Sequence, residues 1–406
     1  MKKYLLHLLF LLLVLTGCGG GGGTSQKDVT PAPVVSVFAE PYAISADKFR
    51  LARIDYRYDT PASNKDVNGY HTTSIDSLKL MIDKIKQIGF NGIILTLQTP
   101  INKDTGKIDY YATTDDKHIP KDTWKVVDYA NSKGLKVWLS LQIVDSVTDT
   151  FLATDFTKYT EQQLFNNIIA YQTEIATIAQ QRNVYGIFIS EGNYNLESYD
   201  HLFYWQQLIN ELRKVYKGKL SYATHLMEPT SIWNHVDYAS VWLNGTLSKT
   251  PVYDLKSIVN LYSNDAYGMN QVQRIKDFYM VYGKKFILTT APAVADDGVN
   301  SAPAQFWDSL VTGMNSTVYT SYRTDTKMQL LKISAFLEMV SRDLINVTDG
   351  VGFTEFSPWL NHVGFADPNG VVYKYYCCGW TLNDNIDAQK TLNSYFSKPW
   401  GHLSIQ

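Results

Sequence analysis

Two glutamates stand where this chain could do acid–base chemistry. Glu191 follows the apolar run Val184-Tyr185-Gly186-Ile187-Phe188-Ile189, whose β-branched and aromatic content reads as a short strand covered on both faces. Ser190, Glu191, Gly192 and Asn193 then break the pattern. A charge at the mouth of a buried parallel strand is costly unless it is paired, hydrated or used. Glu355 ends a second such run, in Gly352-Phe353-Thr354-Glu355-Phe356-Ser357-Pro358-Trp359. Two carboxylic groups flanking one gap, one kept protonated and the other ionised, are the equipment for breaking a glycosidic bond. Each has a plainer reading. Glu191 could cap the loop that follows, and Glu355 could pair with Arg53 or Arg57.

The elements that must position these groups alternate along the chain. Arg50–Tyr56 reads as a first strand, and Leu78, Met81, Ile82 and Ile85 mark a helix from Ser74 to Ile88. Strands follow at Phe90–Gln98, Leu135–Gln142, Val184–Ile189, Lys219–His225, Val236–Asn244, Lys284–Thr290 and Gly350–Phe356. Between and after them lie helices at Lys121–Ser132, Glu161–Gln181, Tyr199–Tyr216, Asn270–Tyr282, Lys327–Asn346 and Asp387–Phe396, with a short one near Ser231–His235. Gly89, Gly134, Gly218 and Gly283 stand where helices should stop. Such alternation demands parallel strands with crossover helices, and eight units close a (β/α)8 TIM barrel. An open doubly wound sheet is the alternative, but no Gly-rich phosphate loop follows the first strand. Asp367-Pro368-Asn369-Gly370 reads as the turn of a small β-hairpin inserted after strand 8.

A barrel collects its strand ends on one face. The residues expected there besides Glu191 and Glu355 are Asp55, Gln98, Gln142, Asn193, His225, Trp242, Asn244 and Trp359, with Thr290 at the end of strand 7. Amides, hydroxyls and aromatic rings are what a polyhydroxylated ligand needs, so a poly- or oligosaccharide is the expected partner. No His/Cys/Asp group has metal-ligand spacing and no Ser/His/Asp order stands out, so neither a metal nor a cofactor is expected.

Composition bounds the reading further. The 406 residues are 45% hydrophobic and 19% charged, which describes a folded globular chain. A formal net charge of −2 without a basic run lacks the footprint of a nucleic-acid binder. Lys2 and Lys3 precede the apolar run Leu5–Leu15, and Leu15-Thr16-Gly17-Cys18 resembles a bacterial lipobox. Residues 1–18 are therefore expected to be a signal peptide ending at a lipidated Cys18, and 19–45 a Gly-rich tether to a barrel domain over 46–406. The apolar run is too short to span a bilayer. Gly19 rather than Asp after the cysteine favours the outer membrane by analogy with Gram-negative lipoprotein sorting. Cys377 and Cys378 are adjacent and cannot staple distant segments; they are either free thiols or a vicinal disulfide.

With these residues in view, the chain resembles the clan A (β/α)8 glycoside hydrolases, most closely the family 113 endo-β-mannanases. The carriers are Gly89-Phe90-Asn91-Gly92-Ile93-Ile94-Leu95, Gly134-Leu135-Lys136-Val137-Trp138, Ile187-Phe188-Ile189-Ser190-Glu191 and the run Leu212–Ala223. The resemblance implies an acid/base glutamate at the end of strand 4, which is Glu191, and a nucleophilic glutamate at the end of strand 7. Thr290 occupies that second position and offers no carboxylate. Three outcomes follow from the residues. A second carboxylate comes from Glu355 or from Asp145, Asp296 or Asp297; or the barrel binds glycan without cleaving it; or its mouth serves a protein partner.

Overall fold

Eight apolar runs pair side by side in chain order and close on themselves. In the computed structural model the described residues are 48–54, 75–110, 122–146, 152, 154, 156–190, 196, 201–224, 231–243, 247–248, 252–265, 268–290, 326–356, 365–366, 372–373 and 386–397. All of them fall within one unit, Pro41–Gln406. The proposed signal peptide, tether and Cys18 lie outside the described residues, as do Cys377 and Cys378.

The strands are β1 (Phe49–Ile54), β2 (Gly92–Ile101), β3 (Lys136–Asp145), β4 (Gly186–Phe188), β5 (Lys219–Thr224), β6 (Tyr238–Trp242), β7 (Phe286–Thr290) and β8 (Thr348–Phe356). Each pairs in parallel with its neighbours, and β8 returns to β1, which closes the (β/α)8 barrel. The helices are α1 (Ile75–Ile88), α2 (Thr123–Ser132), α3 (Glu161–Gln181), α4 (Leu202–Val215), α5 (Leu255–Leu261), α6 (Gln271–Tyr282), α7 (Thr326–Met339) and α8 (Ile386–Ser397). A 3-10 turn at Ser231–His235 replaces a full helix between β5 and β6.

Local signals account for most of these boundaries. Thr160 Oγ1 accepts from the Gln163 amide while Gln163 Oε1 accepts from the Thr160 amide, a reciprocal cap that starts α3. Gly283 ends α6 at φ 61°, a left-handed conformation that glycine adopts without a Cβ penalty. Leu78, Met81, Ile82 and Ile85 form the buried stripe of α1.

Several bounds differ from the sequence reading. β2 runs to Ile101 and β3 to Asp145, each three residues past the expected end, and the two stay paired to that point. β4 is only three residues long, yet its ladder bonds continue from Tyr185, whose amide donates to Val137 O, to Ser190, whose carbonyl accepts from the Ala223 amide. Helix α5 was not expected. It is two turns long, and its N-cap Asp254 accepts from the Ser257 amide at 2.8 Å. α7 gives way at Val340 to a π-helical turn that ends at Leu344. After β8, Phe365–Ala366 and Val372–Tyr373 pair antiparallel, and the intervening residues lie outside the described set.

Two packed layers result. Ala52, Ile93, Val137, Ile187, Leu220, Val241, Leu288 and Phe353 point outward and meet the helices. A separate cluster fills the barrel: Phe49, Leu51, Ile94, Trp138, Phe188, Ala223 and Ile287.

Candidate active site

The interior is built from the strand alternation upward. On β1, Phe49 and Leu51 belong to the inner cluster while Ala52 and Ile54 belong to the outer one, so Arg53 takes the inward phase. The same counting turns Thr96 and Gln98 of β2, Ser140 and Gln142 of β3, Ser190, Ser240 and Trp242, and Thr289 of β7 inward.

The floor is aromatic. The Phe49 and Trp138 rings meet edge to face with centroids 5.3 Å apart, and Trp138 lies 4.9 Å from Phe188. Gly186 makes this possible, because a Cβ there would fall 2.3 Å from the Trp138 ring. Lys136 closes the lower end with its ammonium 5.0 Å from the Phe49 ring centre and 4.7 Å from that of Tyr185. Burial pushes the Tyr238 phenol beside this floor up to about 12.

Above the floor the lining turns polar. Arg53 Nε donates to Thr96 Oγ1 at 2.9 Å, and Arg53 Nη2 to Ser140 Oγ at 3.1 Å. All three residues are buried. Gln98 and Gln142 are register partners one layer higher, with Gln98 buried and Gln142 half-buried. They were expected at strand ends. The β2–β3 ladder instead runs three residues beyond them, to Ile101 and Asp145. Trp242 is the last residue of β6 and half-buried.

Strand 7 corrects the expectation for Thr290. Ile287 belongs to the inner cluster and Leu288 to the outer, so Thr289 faces the interior and Thr290 faces out. A Cβ at Gly352 would meet Thr289 Cγ2 together with Ile94 and Leu51, which agrees with that phase. The Thr290 hydroxyl donates to Leu243 O at 3.2 Å. Asp145 is likewise on the outer phase, with Leu141 and Ile143, and is buried, so it does not serve the mouth. Asp55, Glu191, Asn193, His225, Asn244, Asp296, Asp297 and Trp359 lie outside the described residues. The backbone of Glu355 is part of β8, and its side chain lies outside the described set. Among the described residues no group of His, Cys, Asp and Glu could hold a metal ion, and no helix is long and apolar enough to cross a membrane.

The family profile for Glycoside Hydrolase Family 113 matches residues 63–325, more than half of the chain. The chain belongs to Glycoside Hydrolase Family 113. Its fold is similar to that of a family 113 β-1,4-mannanase solved as a complex, with a TM-score of 0.58 at 17% identity over 86% of this chain and 99% of that one. It is also similar to the β-mannanase AaManA from Alicyclobacillus acidocaldarius, with a TM-score of 0.58 at 14% identity over 87% and 99%. No curated protein matches. Within this family 113 barrel the described end of strand 7 carries hydroxyls only, at Thr289 and Thr290. The polar layer of Arg53, Thr96 and Ser140 was missed as a unit, although period-two counting along each strand would have found it.

Proposed function

We propose that this family 113 chain is a glycosidase of the cell envelope that attacks a poly- or oligosaccharide with Glu191 as general acid/base. The observation that carries the reading is the β4 ladder. It ends at buried Ser190, at the carboxyl end of a parallel barrel strand, and Glu191 is the next residue in sequence. In this reading Glu191 gives its proton to the leaving glycosidic oxygen. Glu355, ionised, acts on the opposite side of the same bond, and water supplies the hydroxyl and proton that complete hydrolysis. In this reading the inward-phase Gln98, Gln142 and Trp242, together with Asp55, Asn193, His225, Asn244 and Trp359, make the sugar contacts. The two solved structures are a β-1,4-mannanase and a β-mannanase, so β-1,4-mannan is the first substrate to try. Lipidation at Cys18 would hold the barrel to the outer membrane through the 19–45 tether.

The test is release of reducing ends from mannan, glucan and galactan by wild type and by Glu191→Gln. Turnover lost by at least about a hundredfold in the variant, with an unchanged melting temperature, supports the reading. Wild-type binding without turnover, indifferent to Glu191→Gln, supports the second reading: a barrel that binds glycan without cleaving it. That alternative draws on the absence of a carboxylate at Thr289 and Thr290.

A further inference from the structure

The chain as a whole carries a formal net charge of −2, but that charge is not spread evenly over the barrel. Each span from the last turn of a helix to the start of the strand that follows lies at the amino ends of the parallel strands. Among the described residues these spans are basic. The α4–β5 span carries Arg213, Lys214, Lys217 and Lys219, and the α2–β3 and α6–β7 spans carry two lysines each. The carboxylates in such spans are Asp237 and Asp343.

Part of this charge is neutralised. Asp237 takes both Arg213 and Lys219, at 2.5 and 3.2 Å, while Asp83 takes Lys133 at 2.7 Å and Asp349 takes Lys285 at 3.0 Å. Four other lysines use partners without charge. Lys86 donates to Lys133 O, Lys217 to Arg213 O at 3.0 Å and Lys284 to Val236 O at 2.9 Å. Lys136 lies over the Phe49 and Tyr185 rings. A carbonyl or a ring orients an ammonium and leaves its full charge in place. Lys86 and Lys217 are exposed, and Lys136 and Lys284 half-buried, so the charge is presented to what lies outside the barrel.

The same end is where the described chain starts. Lys48 precedes β1, whose first residue is at the amino end of the barrel, and residues 19–47 join it to Cys18. An acyl anchor at Cys18 is therefore linked through the chain to the basic end. The strand carboxyl ends, where Ser190 closes the β4 ladder, are opposite. An acyl anchor joined to a basic patch is a two-signal arrangement for holding a protein on a membrane. Each lysine brought close to an anionic bilayer strengthens binding about fivefold. We propose that the amino-end face of the barrel docks on anionic phospholipid headgroups, which turns the carboxyl ends of the strands away from the bilayer and toward glycan. The proposal rests on the lipid-anchor part of the reading above and is independent of the chemistry at the mouth.

The test is a lysine footprint of the mature lipidated chain on two kinds of vesicle, phosphatidylcholine alone and phosphatidylcholine with phosphatidylglycerol. A water-soluble acylating reagent labels exposed amines, and peptide masses give the rate at each lysine. Lys86 and Lys217 are expected to label about fivefold more slowly on the anionic vesicles. Lys103 and Lys125, beyond the carboxyl end of β2, are expected to label at the same rate on both. Salt of about 1 M, which shortens the screening length to about 3 Å, should abolish the difference. Lys217→Gln combined with Lys284→Gln should return Lys86 to its phosphatidylcholine rate. Equal labelling on the two vesicle types overturns the proposal, and so does protection of Lys103 and Lys125 in place of Lys86 and Lys217. Protection that survives both high salt and the double variant overturns it as well, because charge would not be its cause. The intact mass of the mature chain reads the anchor separately. A Cys18 without acyl chains removes the anchor and the docking together, while glycan cleavage and its loss in Glu191→Gln are decided by their own assay.

Discussion

Arg53 on β1 donates through Nε to Thr96 Oγ1 on β2 at 2.9 Å, inside the barrel and away from water. The neighbouring bond from Nη2 to Ser140 carries the same guanidinium across to β3. Three strands are thus tied at one level by a single charged side chain. A buried donor that loses its acceptor keeps its full desolvation cost, about 1–3 kcal/mol and more for a charged group. Thr96→Val keeps the shape and removes the acceptor, so it should destabilise the fold by about 2 kcal/mol in urea unfolding. Ser140→Ala should cost a similar amount, and the two together should differ from the sum because they share one partner. Additive losses would mean that the two hydroxyls act independently of Arg53.

The floor makes a steric prediction. Gly186→Ala would place a methyl group 2.3 Å from the Trp138 ring, deep in a strand that cannot move without breaking its ladders to β3 and β5. Overpacking of this kind typically costs about 1–3 kcal/mol. Trp138→Phe in the same chain shrinks the opposing ring and should recover part of the loss, which denaturant melts of the three variants can measure. A double variant no more stable than Gly186→Ala alone would place the strain elsewhere.

Lys332 of α7 is 2% exposed, and burial pushes its amine down to about 8 from 10.5. Below pH 8 the folded chain bears the cost of a buried ammonium. Between about 8 and 10.5 the unfolded chain binds the proton more firmly than the folded one, so stability rises with pH across that window. Lys332→Met should therefore stabilise the barrel at pH 7, by on the order of 3 kcal/mol, and flatten the pH dependence between 8 and 10. Melting temperatures of both proteins at pH 7 and pH 10 check the sign. A variant less stable than wild type at pH 7 would contradict it.

Much of the architecture was legible in the chain because its causes are local. The apolar runs that became β1 to β8 and the stripe of Leu78, Met81, Ile82 and Ile85 on α1 follow from which residues sit at periods of two and 3.6. The start of α3 is written in Thr160 and Gln163, three residues apart. Helix α5 escaped notice because two turns carry too few apolar positions, here buried Ile258 and Val259, to establish a period.

The inside of the barrel was decided by tertiary structure. Which of Thr289 and Thr290 faces the interior depends on how β7 sits between β6 and β8. That Gln98 meets Gln142, and that neither ends its strand, depends on β2 and β3 pairing three residues past their expected ends. The two-for-one pairing of Thr354 and Glu355 against Arg53 exists only once β8 has returned to β1, about 300 residues along the chain. Sequence determined which segments are strands and helices, since hydrophobic periodicity and caps act over a few residues. Register and inward phase waited for closure, because each strand end is fixed by hydrogen bonds to partners distant in sequence and a slip of one residue turns every side chain to the other face.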